Sequence, residues 1–224
     1  MKIDIITASD KHLRYVDDIS ELIESAAKIR GTGIAKRSPE YLETKIHEGK
    51  SIIALEGDKL AGFCYIETWG NGKYIANSGL IVHPDYRGHG LATKIKAETF
   101  KLSQKKYPGA RIFGITTSLA VMKINSSLGY NPVTFSELTT DEQFWNGCQS
   151  CVNYDILTRT DRKQCLCTGM LYDPEKAKKT NPEIGAGQSK ERWKRFVLFL
   201  TKHKDKYING FKKEKSQVQV TQKS

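Results

Sequence analysis

Residues 82–97 read VHPDYRGHGLATKIKA, and this stretch constrains the chain more than any other. The run before it, Ile75 to Val82, is short and mostly apolar. After it, Leu91, Ile95, Thr99 and Leu102 recur at helical spacing. The segment therefore reads strand, turn, helix. Gly88 and Gly90 remove side chains from the turn and can both take positive φ, so backbone amides can approach a guest closely. The unpaired N–H groups and the positive dipole end of the following helix make phosphate the expected guest. Arg87 adds forked donors for a diphosphate and Lys94 a point charge. His89 projects from the turn.

The chain around this segment alternates. Lys2 to Ala8 reads as a strand, and Tyr15 to Arg30 as a helix with Val16, Ile19, Leu22, Ile23, Ala26 and Ala27 on one face. Ser38-Pro39-Glu40 caps a second helix running to about His47. Ser51–Glu56 and Leu60–Thr68 are strands joined at Gly57-Asp58, a hairpin dipeptide. Arg111–Thr117 is a further strand, Leu119–Leu128 a short helix stopped by Gly129, and Val133 onward is extended. Helices interleaved with a tight hairpin indicate an α/β fold whose sheet is mixed.

The net charge of +11 is localised. From Lys176 to the end there are fourteen Lys or Arg against four Asp or Glu, so this tail carries +10 and the rest of the 224 residues is nearly neutral. Residues 175–190 read as a linker, 191–213 as a basic amphipathic helix with Trp193, Phe196, Val197, Leu200 and Tyr207 on its apolar stripe, and 214–224 as a frayed tail. That helix is expected to dock on its own domain or on a second copy, as in a homodimer. No nucleic-acid or membrane partner is expected. No apolar run approaches the roughly 18 residues of a membrane span, and MKIDIITASD lacks a signal peptide's apolar centre, so a cytoplasmic location is the expectation.

Arg87-Gly88-His89-Gly90-Leu91-Ala92 resembles the acyl-CoA pyrophosphate loop of the GNAT N-acyltransferase superfamily: Arg or Gln, two residues, Gly, one residue, then Gly or Ala. The HPDY lead-in, the amphipathic helix that follows and the downstream TTSLAVMKINSSLGYNPV stand in the order that superfamily uses. The resemblance covers about residues 1–135. It implies a mixed, mostly antiparallel sheet flanked by helices, with acetyl-CoA or another acyl-CoA as cosubstrate. It further implies that Leu80, Ile81 and Val82 splay from the neighbouring strand to pair with the pantetheine arm, and that a backbone N–H near Ile81 or Val82 polarises the thioester carbonyl. Ser118 and Asn125 are expected to hydrogen-bond the cofactor.

Two positions depart from the family pattern. Where many relatives present a Tyr to protonate the leaving thiolate, this chain has Asn125, which cannot act as an acid. The fourth-strand Glu base of some relatives would fall near Ala76 or Asn77, where no carboxylate stands. Glu67, His83, Asn125 or an ordered water remain as candidates for catalysis.

Residues 136–174 form an extension carrying Cys148, Cys151, Cys165 and Cys167. Cys-x2-Cys and Cys-x-Cys separated by thirteen residues supply four thiols for a tetrahedral, structural zinc site. Against zinc, Cys151–Leu157 and Cys165–Tyr172 read as a hairpin turning at Thr160-Asp161, which would hold Cys151 about 20 Å from Cys165. The metal-free hairpin, with free thiols, is the favoured expectation; a redox Cys-x-x-Cys is a third reading. The extension is expected to cover the acceptor side of the sheet, with Phe144 and Trp145 in a core.

The acceptor expected is a small-molecule primary amine, the α-amino group of an amino acid such as glutamate first. The rival readings are protein N-terminal or lysine acetylation, and a non-catalytic acyl-CoA sensor.

Overall fold

The computed structural model describes residues 2–30, 37–149 and 151–179. A seven-stranded sheet holds β1 (Asp4–Thr7), β2 (Ser51–Glu56), β3 (Lys59–Trp69), β4 (Tyr74–Val82), β5 (Arg111–Thr116), β6 (Asn131–Val133) and β7 (Thr168–Tyr172), in the order β1-β2-β3-β4-β5-β7-β6. All pairings are antiparallel except β4 with β5. The mixed, mostly antiparallel sheet expected from the sequence is the one observed.

Both faces of the sheet are covered, which explains why β2 is almost uniformly apolar. Ile53 and Leu55 pack with Ile19, Ile23, Leu42 and Ile46 of α1 (Val16–Arg30) and α2 (Pro39–His47). Ile52 and Ala54, on the other face, pack with Leu91 and Ile95 of α3 (Leu91–Lys106). Alternate residues of one strand thus bury into two different layers. Helix α2 begins where its cap was expected, the Ser38 hydroxyl accepting from the Tyr41 amide at 3.3 Å. Among the described residues no helix is long and apolar enough to cross a membrane.

The extension departs from its expected form. Val133 does not open a long extended segment, since β6 ends there, and α5 (Glu142–Asn146) and α6 (Tyr154–Arg159) follow α4 (Leu119–Ser127) of the preceding half. The hairpin is overturned. Residues 154–159 are helical, and β7 pairs with β5 and β6 instead of with residues 151–157. Tyr154 and Leu157 stand three apart and both pack on the Phe113, Phe144 and Trp145 cluster, while Asp155 and Arg159 pair across one turn at 3.7 Å. A segment of six residues with apolar groups at both two- and three-residue spacing suits either structure, and the available cluster chose the helix. Asp161 and Arg162, both at positive φ, end it.

One compact unit runs to Glu175, and a second begins at Lys176. Helix α7 (Pro174–Lys179) occupies the start of the segment expected as a linker. The basic helix of 191–213 and the tail of 214–224 lie outside the described residues.

Candidate active site

Strand β4 leaves its neighbour halfway along. It pairs with β5 at Tyr74, Ile75 and Ala76 only, so from Asn77 to Val82 the edge facing β5 is open. On the other edge β4 stays with β3, but the register slips: Phe63 faces Ile81 while Tyr65 faces Ser78. The extra residue makes a bulge at Gly79, whose φ is +63°. A Cβ there would stand 2.2 Å from the Tyr65 ring, so no other residue fits without displacement. Behind the bulge, Asn77 is fixed from three sides. Its amide donates to Ser103 Oγ at 2.7 Å, its side-chain oxygen accepts from Tyr130 OH at 3.0 Å, and its carbonyl accepts from Lys96 Nζ at 3.3 Å. Lys96 is fully buried, and desolvation lowers its pKa to about 8. This network ties β4 to α3 where β4 parts from β5.

The ladder decides which amides face the opening. The His83 amide bonds to the Ala61 carbonyl at 2.9 Å, so by antiparallel alternation Ile81 is turned toward β3 and Val82 away from it. Consistent with this, the Val82 carbonyl accepts from Arg87 Nε at 3.1 Å. Of the two expected oxyanion donors, Val82 therefore has the free direction.

The turn follows directly. Gly88 and Gly90 have φ of +83° and +74°, and a Cβ at either would meet nothing within 4 Å. Their role is conformational and leaves the backbone bare. Gly90 caps α3, whose first turn carries no acidic residue, so its opening N–H groups favour an anion. Arg87, His89 and Lys94 are exposed around this turn, while Leu91 is buried as an anchor and Ala92 half-buried.

The other expected residues separate. His83 is tied into its turn, its ring accepting from the Asp85 amide at 3.4 Å, and does not line the cavity described below. Ser118 caps α4, accepting from the Val121 amide at 3.4 Å. Asn125 is 1% exposed; its Oδ1 has no hydrogen-bond partner, and it packs beside Gly114 of β5.

A cavity of about 310 Å³ runs from the split between β4 and β5 under the extension. Val121 and Thr116 line one end, Trp69, Phe113, Phe135 and Phe144 the other, and Arg37 and Glu67 supply its charges. Glu67 stands directly across from Ala76 in the register, at the level where β4 and β5 part. The third strand thus carries a carboxylate beside the position where the fourth carries none, a placement that only the register reveals. Burial pushes Glu67 up to about 7, with Arg37 pulling it down. Lys45 Nζ stands 3.0 Å from this carboxyl group, likewise little exposed, a cation that favours its ionised form. Arg37 Nε donates to the Tyr65 hydroxyl at 2.6 Å beside it.

The four extension cysteines line the same cavity. Burial pushes Cys148 up to about 11, and burial with its thiol neighbours pushes Cys167 up to about 12, so both rest as neutral thiols and neither is poised as a nucleophile.

The family model described as Acetyltransferase (GNAT) family matches residues 19–119. N-acetylglutamate synthase from Neisseria gonorrhoeae, complexed with coenzyme A and N-acetyl-glutamate, is similar in fold (TM-score 0.56, 17% identity, 77% of this chain and 35% of that one). A Mycobacterium tuberculosis protein in complex with CoA gives TM-score 0.54 at 15% identity, over 76% of this chain and 98% of that one. The yncA protein of Salmonella typhimurium, with its cofactor acetyl-CoA, gives 0.53 at 14%, over 77% and 94%. This chain thus spans about a third of the synthase and nearly all of the other two. At such identities the likeness is one of fold. No curated protein matches the chain.

Proposed function

We propose, from the match of residues 19–119 to the acetyltransferase (GNAT) family model, that the protein is a member of that family and moves an acetyl group from acetyl-CoA to the α-amino group of an amino acid in a ternary complex. The observation that carries this reading is Glu67, a buried carboxylate in the cavity at the level where the sheet opens.

The residues fit an acyl-CoA. The bare turn at Gly88–Gly90 and the α3 N-terminus suit a pyrophosphate, with Arg87 and Lys94 beside it. The open edge of Leu80–Val82 offers backbone groups to an amide-bearing arm, and α4 beyond β5 carries the buried Asn125 with an unpaired acceptor.

Glu67 takes one proton from the incoming ammonium. The freed amine attacks the thioester carbonyl carbon, and a backbone N–H on the open edge of β4 stabilises the oxyanion that forms. Collapse breaks the carbon–sulfur bond as the nitrogen of the adduct gives up its second proton, which passes through solvent to the departing thiolate; the amide stays with the acceptor, and no side-chain acid at Asn125 is involved. Holding amine and thioester in line contributes up to about 7–11 kcal/mol to such a reaction. Arg37 suits the acceptor's carboxylate, and the aromatic wall suits an apolar side chain. Glutamate brings a second carboxylate, while Arg37 is the cation among the residues lining the cavity.

The test is release of free thiol from acetyl-CoA and succinyl-CoA against pools of amino acids, polyamines and peptides. Turnover with a free amino acid supports the reading. Tight CoA binding without turnover in every pool would make the protein an acyl-CoA sensor, and turnover with peptides alone would move the acceptor to protein amines.

A further inference from the structure

We infer that Cys148, Cys151, Cys165 and Cys167 bind one zinc ion that clasps the extension over the acceptor end of the cavity. The objection to such a site was distance, because a hairpin would have kept the two cysteine pairs apart. The helix α6 removes that objection. It folds the chain back between the pairs, so that all four side chains line one cavity and three of them pack on the Phe113, Phe144 and Trp145 cluster.

Each pair is also set to act together. Cys148 and Cys151 are three apart, the Cys151 amide bonds to the Cys148 carbonyl at 2.9 Å, and both residues line the cavity. Cys165 and Cys167 are two apart in the non-helical chain leading into β7, a spacing that shares a face in extended structure, and both pack on the same aromatic cluster. Cys167 also lies within electrostatic range of Cys148 and Cys151.

The four do not already stand at coordination spacing, since among the described residues no three His, Cys, Asp or Glu form a ready metal cage. Cys148, Cys151, Cys165 and Cys167 all lie outside the helices and strands. The flanks are fixed: Trp145 Nε1 donates to the Thr139 carbonyl at 3.1 Å, Arg162 makes a forked pair with Glu142 at 2.6 and 2.7 Å, and Thr160 Oγ1 donates to the Gln164 carbonyl at 2.8 Å. Four thiolates select a thiophilic ion of tetrahedral preference and leave no position open, so the ion is structural. Binding releases the thiol protons to solvent and forms four zinc–sulfur bonds, with no change of oxidation state.

The test is metal analysis of the full chain, purified under reducing conditions without a metal-affinity step or chelator. About one zinc per chain is expected, falling to background in Cys165→Ser/Cys167→Ser. Cobalt substituted for zinc should show thiolate charge-transfer and tetrahedral ligand-field bands, a signature that does not need the variant to fold well. Metal-free protein whose four thiols react freely, a Cys165–Cys167 or Cys148–Cys151 disulfide, iron in place of zinc, or zinc fully retained by the double variant would each overturn the inference. The outcome is independent of acetyl transfer, because metal content is read on protein without substrate.

Discussion

The region of β4, β5 and the α3 turn differs from the cavity wall built from residues 136–173 in how it is held. The first is fixed by backbone: a bulge at Gly79, an open strand edge, and helix-terminal amides bared by Gly88 and Gly90. The second is fixed by side chains, in an apolar cluster of Phe113, Phe135, Phe144, Trp145 and Leu157 on which Cys148, Cys165 and Cys167 rest. Backbone binding suits a ligand whose backbone-like arm and phosphates do not vary. A side-chain wall can change with the acceptor, which is where members of one fold differ.

The comparison can be broken or sharpened at five positions. Glu67→Gln should lower kcat/KM by about 10²–10⁴-fold while calorimetric CoA affinity stays unchanged. In the parent enzyme the rate should rise with pH through about 7 as Glu67 loses its proton, and this limb should vanish in the variant. A variant as active as the parent would remove the base from the proposal.

Gly79→Ala forces a methyl group onto the Tyr65 ring at positive φ, costing about 1–3 kcal/mol from overpacking alone. A lowered melting midpoint together with weaker CoA binding is expected. Gly88→Val should instead keep the melting midpoint and lose CoA affinity, because the space around it is open and only the approach of phosphate is obstructed. If both variants lose stability equally, the distinction between bulge and phosphate turn fails.

Lys45→Met removes a cation that favours the ionised form of Glu67, so the midpoint of the pH–rate profile should move upward with little change in the plateau. The smallest effect belongs to the extension's surface. Arg162→Ala breaks an exposed pair with Glu142, and such pairs contribute little; the melting midpoint should hold, and a large drop would show that the second wall depends on this clasp.

How much was legible beforehand follows the same division. The strand–turn–helix at Gly88–Gly90, α2 with its Ser38 cap and the Gly57-Asp58 hairpin announce themselves through neighbours in sequence, and each is present in the structure. Gly79 carried a readable signal, since a glycine inside a strand pattern marks a bulge, but it was passed over. Glu67 was named as one base candidate among several; its place opposite Ala76 depends on pairing between strands.

The sequence alone determined the strand–turn–helix of the phosphate site, the sheet's mixed character and the separation of a near-neutral core from a basic tail, because glycine conformation, hydrophobic period and charge are local properties. Tertiary structure decided three other things: that β4 and β5 part after Ala76, that Glu67 faces the parting, and that residues 154–159 coil and bring two cysteine pairs to one cavity. Each depends on groups far apart in the chain. A six-residue segment such as Tyr154–Arg159 has too little local preference to choose its form, and the buried Phe113, Phe144 and Trp145 surface chose it.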